Sequence, residues 1–365
     1  MATARLLSLD ALRGLAVVFM MEQHMAVWLW RSEPGVSLIA QAPVLMALNG
    51  LGGLAAPTFI TLAGAGTTFL ARARAGSARS VDAILVRRGL TLMAFGYLLN
   101  LLTPSWFSGG SWFVLHLMGF GIATAPLWRR LSDRTLLLGQ AILLLAAPFV
   151  QEWLGTPHLL VNERMRRLDL PGGPLRLALA EGQFPIIPWL GLFFAGVVVG
   201  RWLLQGRHDR IVRLALVLLL TGAALAGLGG LTPFVPALAF LQDGAGERLV
   251  QIRASFYPAN PSIVLLLQAG TLLLLLGALA LERRGRLRET GPMVALGRAS
   301  LTLLLVHVVV FRELTRPIGA WQAFTSEVAL TIVAVWIVAC ALAARLWQRI
   351  GYRFGAEWLL RLCGG

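Results

Sequence analysis

The sequence predicts an all-α integral membrane protein of about ten transmembrane helices, eleven if one proline-broken stretch also crosses, with both termini cytoplasmic. Three observations carry this. First, 57% of the 365 residues are hydrophobic and only 13% are charged, where a soluble domain carries roughly 25% charged residues. Second, the apolar residues come in blocks close to the 20 or so needed to cross a bilayer as a helix. Third, arginines crowd into alternate loops.

The blocks fall at about 11–30, 53–71, 84–103, 111–128, 135–153, 184–204, 211–229, 261–281, 294–312 and 326–347. Helices are the expected form because lipid offers no partner to backbone N–H and C=O groups. The stretch LTPFVPALAFL at 231–241 is apolar but short and broken by proline, so it reads as re-entrant or as part of an eleventh span. The loops after the second, fourth, sixth and eighth blocks read ARARAGSARS, RRLSDR, QGRHDR and ERRGRLRE, whereas PSWFSGG after the third has no basic residue. The positive-inside rule then puts both termini in the cytoplasm. The whole chain, 1–365, is a single polytopic domain, with long extracytoplasmic loops at about 154–183 and 230–260.

The net charge of +15 comes entirely from arginine, with no lysine in the chain. Because the arginines lie between apolar blocks, membrane topology explains them better than nucleic-acid binding does. Lysine-free usage rich in Ala, Leu and Arg suggests a GC-rich bacterial genome and an inner membrane. Cys340 and Cys363 form neither a disulfide framework nor a metal-ligand spacing. Asp10 and Arg13 stand where a cleavable signal would begin its apolar stretch, so the first helix is expected to be retained. Pro185, Pro188 and Pro261 mark helix starts. Trp28, Trp30, Trp106, Trp112, Trp153 and Trp189 lie near block ends and read as an interfacial aromatic belt.

Polar residues inside a span are costly and are functional candidates by default. The first block, SLDALRGLAVVFMMEQHM, holds Asp10, Arg13 and His24. At 100° per residue Arg13 and His24 lie about 20° apart around the helix, and Asp10 lies about 40° from His24, so all three share one face. Along the axis Arg13 and His24 are about 16 Å apart. Arg87, Arg88 and Arg298 join Arg13 at the cytoplasmic mouth, and His116 and His307 join His24 in the outer half. The bland alternatives are topology anchors for the arginines, a local ion pair for Asp10 and Arg13, ordinary interhelical hydrogen bonding for His307, and a mere interfacial position for His116. Glu22, roughly opposite His24, is the only acidic residue well inside a span. That weighs against a proton-coupled transporter.

The Arg13-x10-His24 pattern resembles the opening of the acyltransferase type 3 superfamily. The fuller RLLSLDALRGLAVVFMMEQH more closely resembles bacterial relatives of the heparan-α-glucosaminide N-acetyltransferase catalytic domain. Further similar segments follow in order: APTFITLAGAGTTFL, VRRGLTLM, FPIIPWLGLFFAGVVVGRW, YPANPSIVLLLQAG and LGRASLTLLLVH. The superfamily's Arg-x-x-Arg motif appears only as Arg87-Arg88, and the Glu33 to Gly35 stretch lacks the loop histidine of the lumenal enzyme.

The resemblance implies transfer of an acyl group, most simply acetyl, from cytoplasmic acetyl-CoA to a hydroxyl or amine on the far side, a sugar or glycan being the expected acceptor. It implies that Arg13, Arg87, Arg88 and Arg298 hold the CoA phosphates and that His24, His116 and His307 supply the proton-transfer chemistry. Asp10 is expected to pair with an arginine or to contact substrate. Glu163, Asp169, Gln183, Trp189, Tyr257 and Asn260 are candidates for acceptor binding. No metal is implied, and a homodimer is one open arrangement. The competing readings are a transporter or flippase for a small solute or lipid-linked sugar, and a non-catalytic scaffold.

Overall fold

The computed structural model describes residues 6–75, 80–160, 167–252 and 257–364; Glu163 lies outside them. The helices used below are α1 (Leu7–Leu29), α2 (Pro43–Gly52), α3 (Ala55–Ala73), α4 (Val81–Leu102), α5 (Val114–Ala123), α6 (Asp133–Trp153), α7 (Ile186–Leu204), α8 (His208–Leu231), α9 (Pro261–Arg283), α10 (Pro292–Arg298), α11 (Ser300–Val308), α12 (Ser326–Gln348) and α13 (Ala356–Gly364).

Among the described residues, seven stretches are long and apolar enough to cross a membrane: α2 with α3, then α4, α6, α7, α8, α9 and α12. The α10–α11 pair makes an eighth if its bent halves count as one span. The differences from ten predicted blocks have local causes. At 23 residues α1 has the length, but Asp10, Arg13, Glu22, Gln23 and His24 dilute its apolar character. The 111–128 block folds as the ten-residue α5 and a four-residue turn, Ala125–Trp128. The 294–312 block is broken at Ala299 and turns by 76°. The 231–241 stretch holds a six-residue 3-10 turn, Pro236–Leu241, which is too short to span.

Two helices form the centre. α7 is buried along almost its whole length, and it packs against α3 and α6. A Cβ at Gly64 of α3 would stand 2.1 Å from the Phe193 carbonyl oxygen of α7, so these backbones touch because a side chain is missing. α1 packs on α10 in the same manner: a Cβ at Gly297 would stand 1.8 Å from the Asp10 carbonyl oxygen. α8 and α12 are the least buried spans and form the periphery.

Polar ties fix the level of α1 against the end of the chain. The Glu282 carboxylate, at the end of α9, accepts from the Leu7 and Ser8 amides at 2.7 and 3.0 Å, which caps the start of α1. At the other end of α1, the Gln322 and Phe324 amides donate to the Trp28 and Leu29 carbonyls. This folds the segment after α11 back over the top of α1.

The loop between α6 and α7 is tied down by Glu181, which is fully buried. Its carboxylate accepts from Thr156 at 2.8 Å and from Arg167 and Arg176. Burial alone would raise this carboxyl, but those hydrogen bonds outweigh it and hold it below the usual carboxylate range. A lowered folded value means the stabilisation is complete above the unfolded carboxyl's pKa, about 4.3, and is lost as pH falls through the lower folded one. Glu181→Gln strands two largely buried guanidiniums. It is expected to cost about 3 kcal/mol and to blunt the loss of stability on acidification, both read by thermal melts in detergent across pH.

Candidate active site

Two cavities stack along α1. The first, an open cleft of about 380 Å³, lies at the end where α1 begins. Its walls carry Arg13, Arg88, Arg298 and Arg361, together with Ser300, Leu301 and Glu357. The second, about 60 Å³, lies further along α1 and is lined by Met20, Gln23 and His24 with Gln183, Phe184 and Tyr257 from the two long loops. Phe59 and Leu304 line both, so these side chains form the partition where the cavities meet.

The arginine cleft owes its shape to the break in the α10–α11 pair. Arg298 ends α10, and its Nε donates to Asp10 Oδ2 at 3.1 Å while another nitrogen reaches Glu289 at 3.0 Å. Arg13, one turn after Asp10, donates to Oδ1 at 3.4 Å. Asp10, only 2% exposed, is thus held between two guanidiniums. Beyond the break, the amides of Leu301 and Thr302 have lost their helical partners, and the Glu357 carboxylate accepts from both. Glu357 belongs to α13, so the last helix forms one wall of the cleft and brings Arg361 with it. Arg88 also lines the cleft, and its Nε is buried with no hydrogen-bond acceptor among the described residues. Arg87, the preceding residue on α4, is exposed and does not line the cleft.

In the smaller cavity His24 does not stand alone. Its Nδ1 lies 3.1 Å from Nε2 of His307 on α11, and the rings are nearly parallel. Trp28 stacks on His24 with centroids 5.1 Å apart, and Trp106 meets it edge-on at 5.4 Å. The Arg312 guanidinium sits over the rings of Trp28, Trp106 and Trp321, nearest to Trp321 at 4.5 Å. Arg312 also donates to the Ser105 carbonyl at 2.9 Å. Arg312 and the three tryptophans form one cluster beside His24, of which Trp106 lines the cavity.

The remaining candidates disperse. His116 is fully buried, accepts from the Phe113 amide at its Nδ1, and caps the start of α5 among Tyr97, Trp112 and Phe113. It does not line the smaller cavity. Trp189 is fully buried behind Phe184, with rings 5.0 Å apart. Asn260 donates to the Gln251 carbonyl at 2.8 Å and holds the start of α9 to the preceding loop. Asp169 is exposed. Gln183 and Tyr257 do reach the cavity. Of the tryptophans read as an aromatic belt, Trp153 is 83% exposed, but Trp28 and Trp30 are buried and Trp28 packs on a histidine.

Sequence reasoning passed over Arg312, Trp321, Glu357 and Arg361. For the last two a signal existed. AEWLLRLCG alternates polar and apolar residues at helical spacing after the turn residues Gly351 and Gly355, the mark of an amphipathic helix.

A family model described as heparan-alpha-glucosaminide N-acetyltransferase, catalytic, matches residues 5–231, more than half of the chain. No curated protein matches the chain at a significant level. Asp10, Arg13, His24, Arg88 and Gln183 fall inside the matched region, while Arg298, His307 and Glu357 lie beyond it.

Proposed function

Because this chain belongs to the heparan-alpha-glucosaminide N-acetyltransferase catalytic family, we propose that it is a membrane acyltransferase. In this reading an acyl group, acetyl first among them, moves from acyl-CoA at the arginine end, taken as cytoplasmic, to a hydroxyl or amine of a sugar or glycan at the opposite side. The observation that carries the proposal is the pair of stacked cavities, one arginine-walled and one holding His24, that meet at Phe59 and Leu304.

The chemistry of each level suits one half of the substrate pair. A nucleotide with several phosphates needs convergent guanidiniums, which give charge-assisted hydrogen bonds of fixed geometry. Arg88 fits that role best, since its buried Nε lacks an acceptor among the described residues. Arg13 and Arg298 present charge to the same cleft while Asp10 fixes their positions. Arg87, exposed on another face of α4, plays no part.

From Arg13 to His24 the rise is about 16 Å, comparable to the reach of an extended pantetheine arm. An arm threaded past Phe59 and Leu304 would set its thioester beside His24. Gln183 and Tyr257 would orient the acceptor from the loop side. His24 then takes the proton from the acceptor hydroxyl or amine as that atom attacks the thioester carbonyl. The carbon–sulfur bond breaks, and the proton passes to the departing thiolate, so no net proton is consumed. The apolar partition keeps water from the thioester before the acceptor arrives.

The test uses purified protein in nanodiscs with acetyl-CoA labelled in the acetyl group and an amino-sugar or glycan acceptor. The expected result is release of free CoA together with label on the acceptor. Solute uptake into vesicles without thioester cleavage would replace this reading with a transporter.

A further inference from the structure

His307 is an unusual residue for a helix interior: fully buried, away from the lining of either cavity, yet in contact through both of its ring nitrogens. Its Nδ1 lies 2.9 Å from the carbonyl oxygen of Leu303, one turn earlier on α11. A carbonyl only accepts, so Nδ1 must carry the hydrogen. In the neutral ring Nε2 is then a bare lone pair. That lone pair lies 3.1 Å from His24 Nδ1, which must in turn be the donor. With Nδ1 protonated, the free lone pair of His24 is on Nε2, the nitrogen left for the cavity that His24 lines. A backbone carbonyl thus dictates, through one buried imidazole, which nitrogen of the next can act as a base.

We infer that His307 is a positioning residue that holds His24 in its Nδ1–H tautomer, with Nε2 facing the acceptor. This rests on the reading of His24 as the base. The arrangement does for two neutral rings what a carboxylate does in a serine-protease triad, fixing tautomer and orientation without entering the reaction. Trp28, stacked within 20° of the His24 plane, and Trp106 at its edge restrict the ring from rotating away. During transfer, the acceptor O–H or N–H bond breaks as its proton joins His24 Nε2. The Nδ1–H of the resulting imidazolium keeps its acceptor in His307 Nε2. The Nε2 proton then moves to the thiolate sulfur, which restores both rings to their starting tautomers. The order of lone pairs is what matters: were His307 reversed, its Nε2–H would either oppose the His24 Nδ1–H or force His24 into the Nε2–H tautomer, which presents a proton where a base is needed.

Nitrogen NMR of ¹⁵N-histidine protein in nanodiscs reads the tautomers directly, with His24→Asn used to assign the His24 signals. The expected spectrum shows Nδ1 of His24 protonated and Nε2 bare in the unmodified protein. In His307→Leu, His24 should become a mixture of tautomers, and kcat should fall about 100-fold with the KM for acetyl-CoA unchanged. His307→Gln supplies an amide oxygen for the His24 Nδ1–H and should recover most of the loss. An Nε2–H tautomer in the unmodified protein, or Leu and Gln variants with equal kcat, would overturn the inference. If the tautomer is as expected but His24→Ala turns over normally, the inference stands and the catalytic reading of His24 fails.

Discussion

Replacing His24 by alanine is expected to lower acetyl transfer by about 100- to 10,000-fold, the span that general-base catalysis commonly supplies. The loss should fall on kcat, since the arginine cleft that would bind the donor begins about 16 Å away along α1. The fold should survive. His24 is only partly buried, and its removal leaves His307 Nε2 without a donor but leaves the bond from His307 to the Leu303 carbonyl in place. A neutral acceptor without a partner costs about 1–3 kcal/mol, which a bundle of this size can absorb. Size-exclusion profiles, thermal melts and acetyl-CoA binding should therefore remain close to those of the unmodified protein. Full turnover by the variant would remove His24 from the mechanism.

A second large effect is expected at the opposite end of the same helix. Asp10 is buried, and Arg298 pairs with it at 3.1 Å. Arg298→Gln would remove that partner, leaving Arg13 at 3.4 Å as a weaker one, and breaking a buried pair from one side costs about 3–5 kcal/mol. Asp10→Asn combined with Arg298→Gln should cost less than the sum of the single changes, because each single change strands a charge that the double change does not. Denaturant melts of the four proteins in detergent measure this coupling directly. A strictly additive cycle would mean that the pair contributes nothing to the joint between α1 and α10. Since Arg298 also lines the cleft, the single variant should raise the KM for the acyl donor as well.

Much of the site's plan was readable from helical arithmetic on α1. The 11-residue spacing of Arg13 and His24 predicts one face and two levels, and the cavities fall at those two levels. Depth along the membrane also grouped His24 with His307, which do meet. Depth could not say which way a side chain faces. Arg87 and Arg88 are adjacent in sequence and equal in depth, yet about 100° of helix rotation puts one in the cleft and the other outside it. His116 shares the level of His24 but is turned toward the start of its own helix. The break at Ala299 carries no proline to announce it, and it depends on Glu357, a residue 56 positions from Leu301, to accept the freed amides. Trp28 and Trp106 have the composition of interfacial anchors; only packing reveals that they hold a histidine.

The ties that hold α1 in place have a further consequence for biosynthesis. Its carboxylate cap, its ion-pair partner and its imidazole partner lie 275, 288 and 283 residues downstream. At roughly 5–20 residues per second of translation, the first helix leaves the ribosome roughly 15 to 55 seconds before any of them exists. For that interval a segment bearing Asp10, Arg13, Glu22 and His24 must be sheltered by the insertion machinery or rest at the bilayer surface. Of the helices described, α1 emerges first and is in this sense completed last, and termination anywhere between α1 and Glu282 would strand it without all three of these partners.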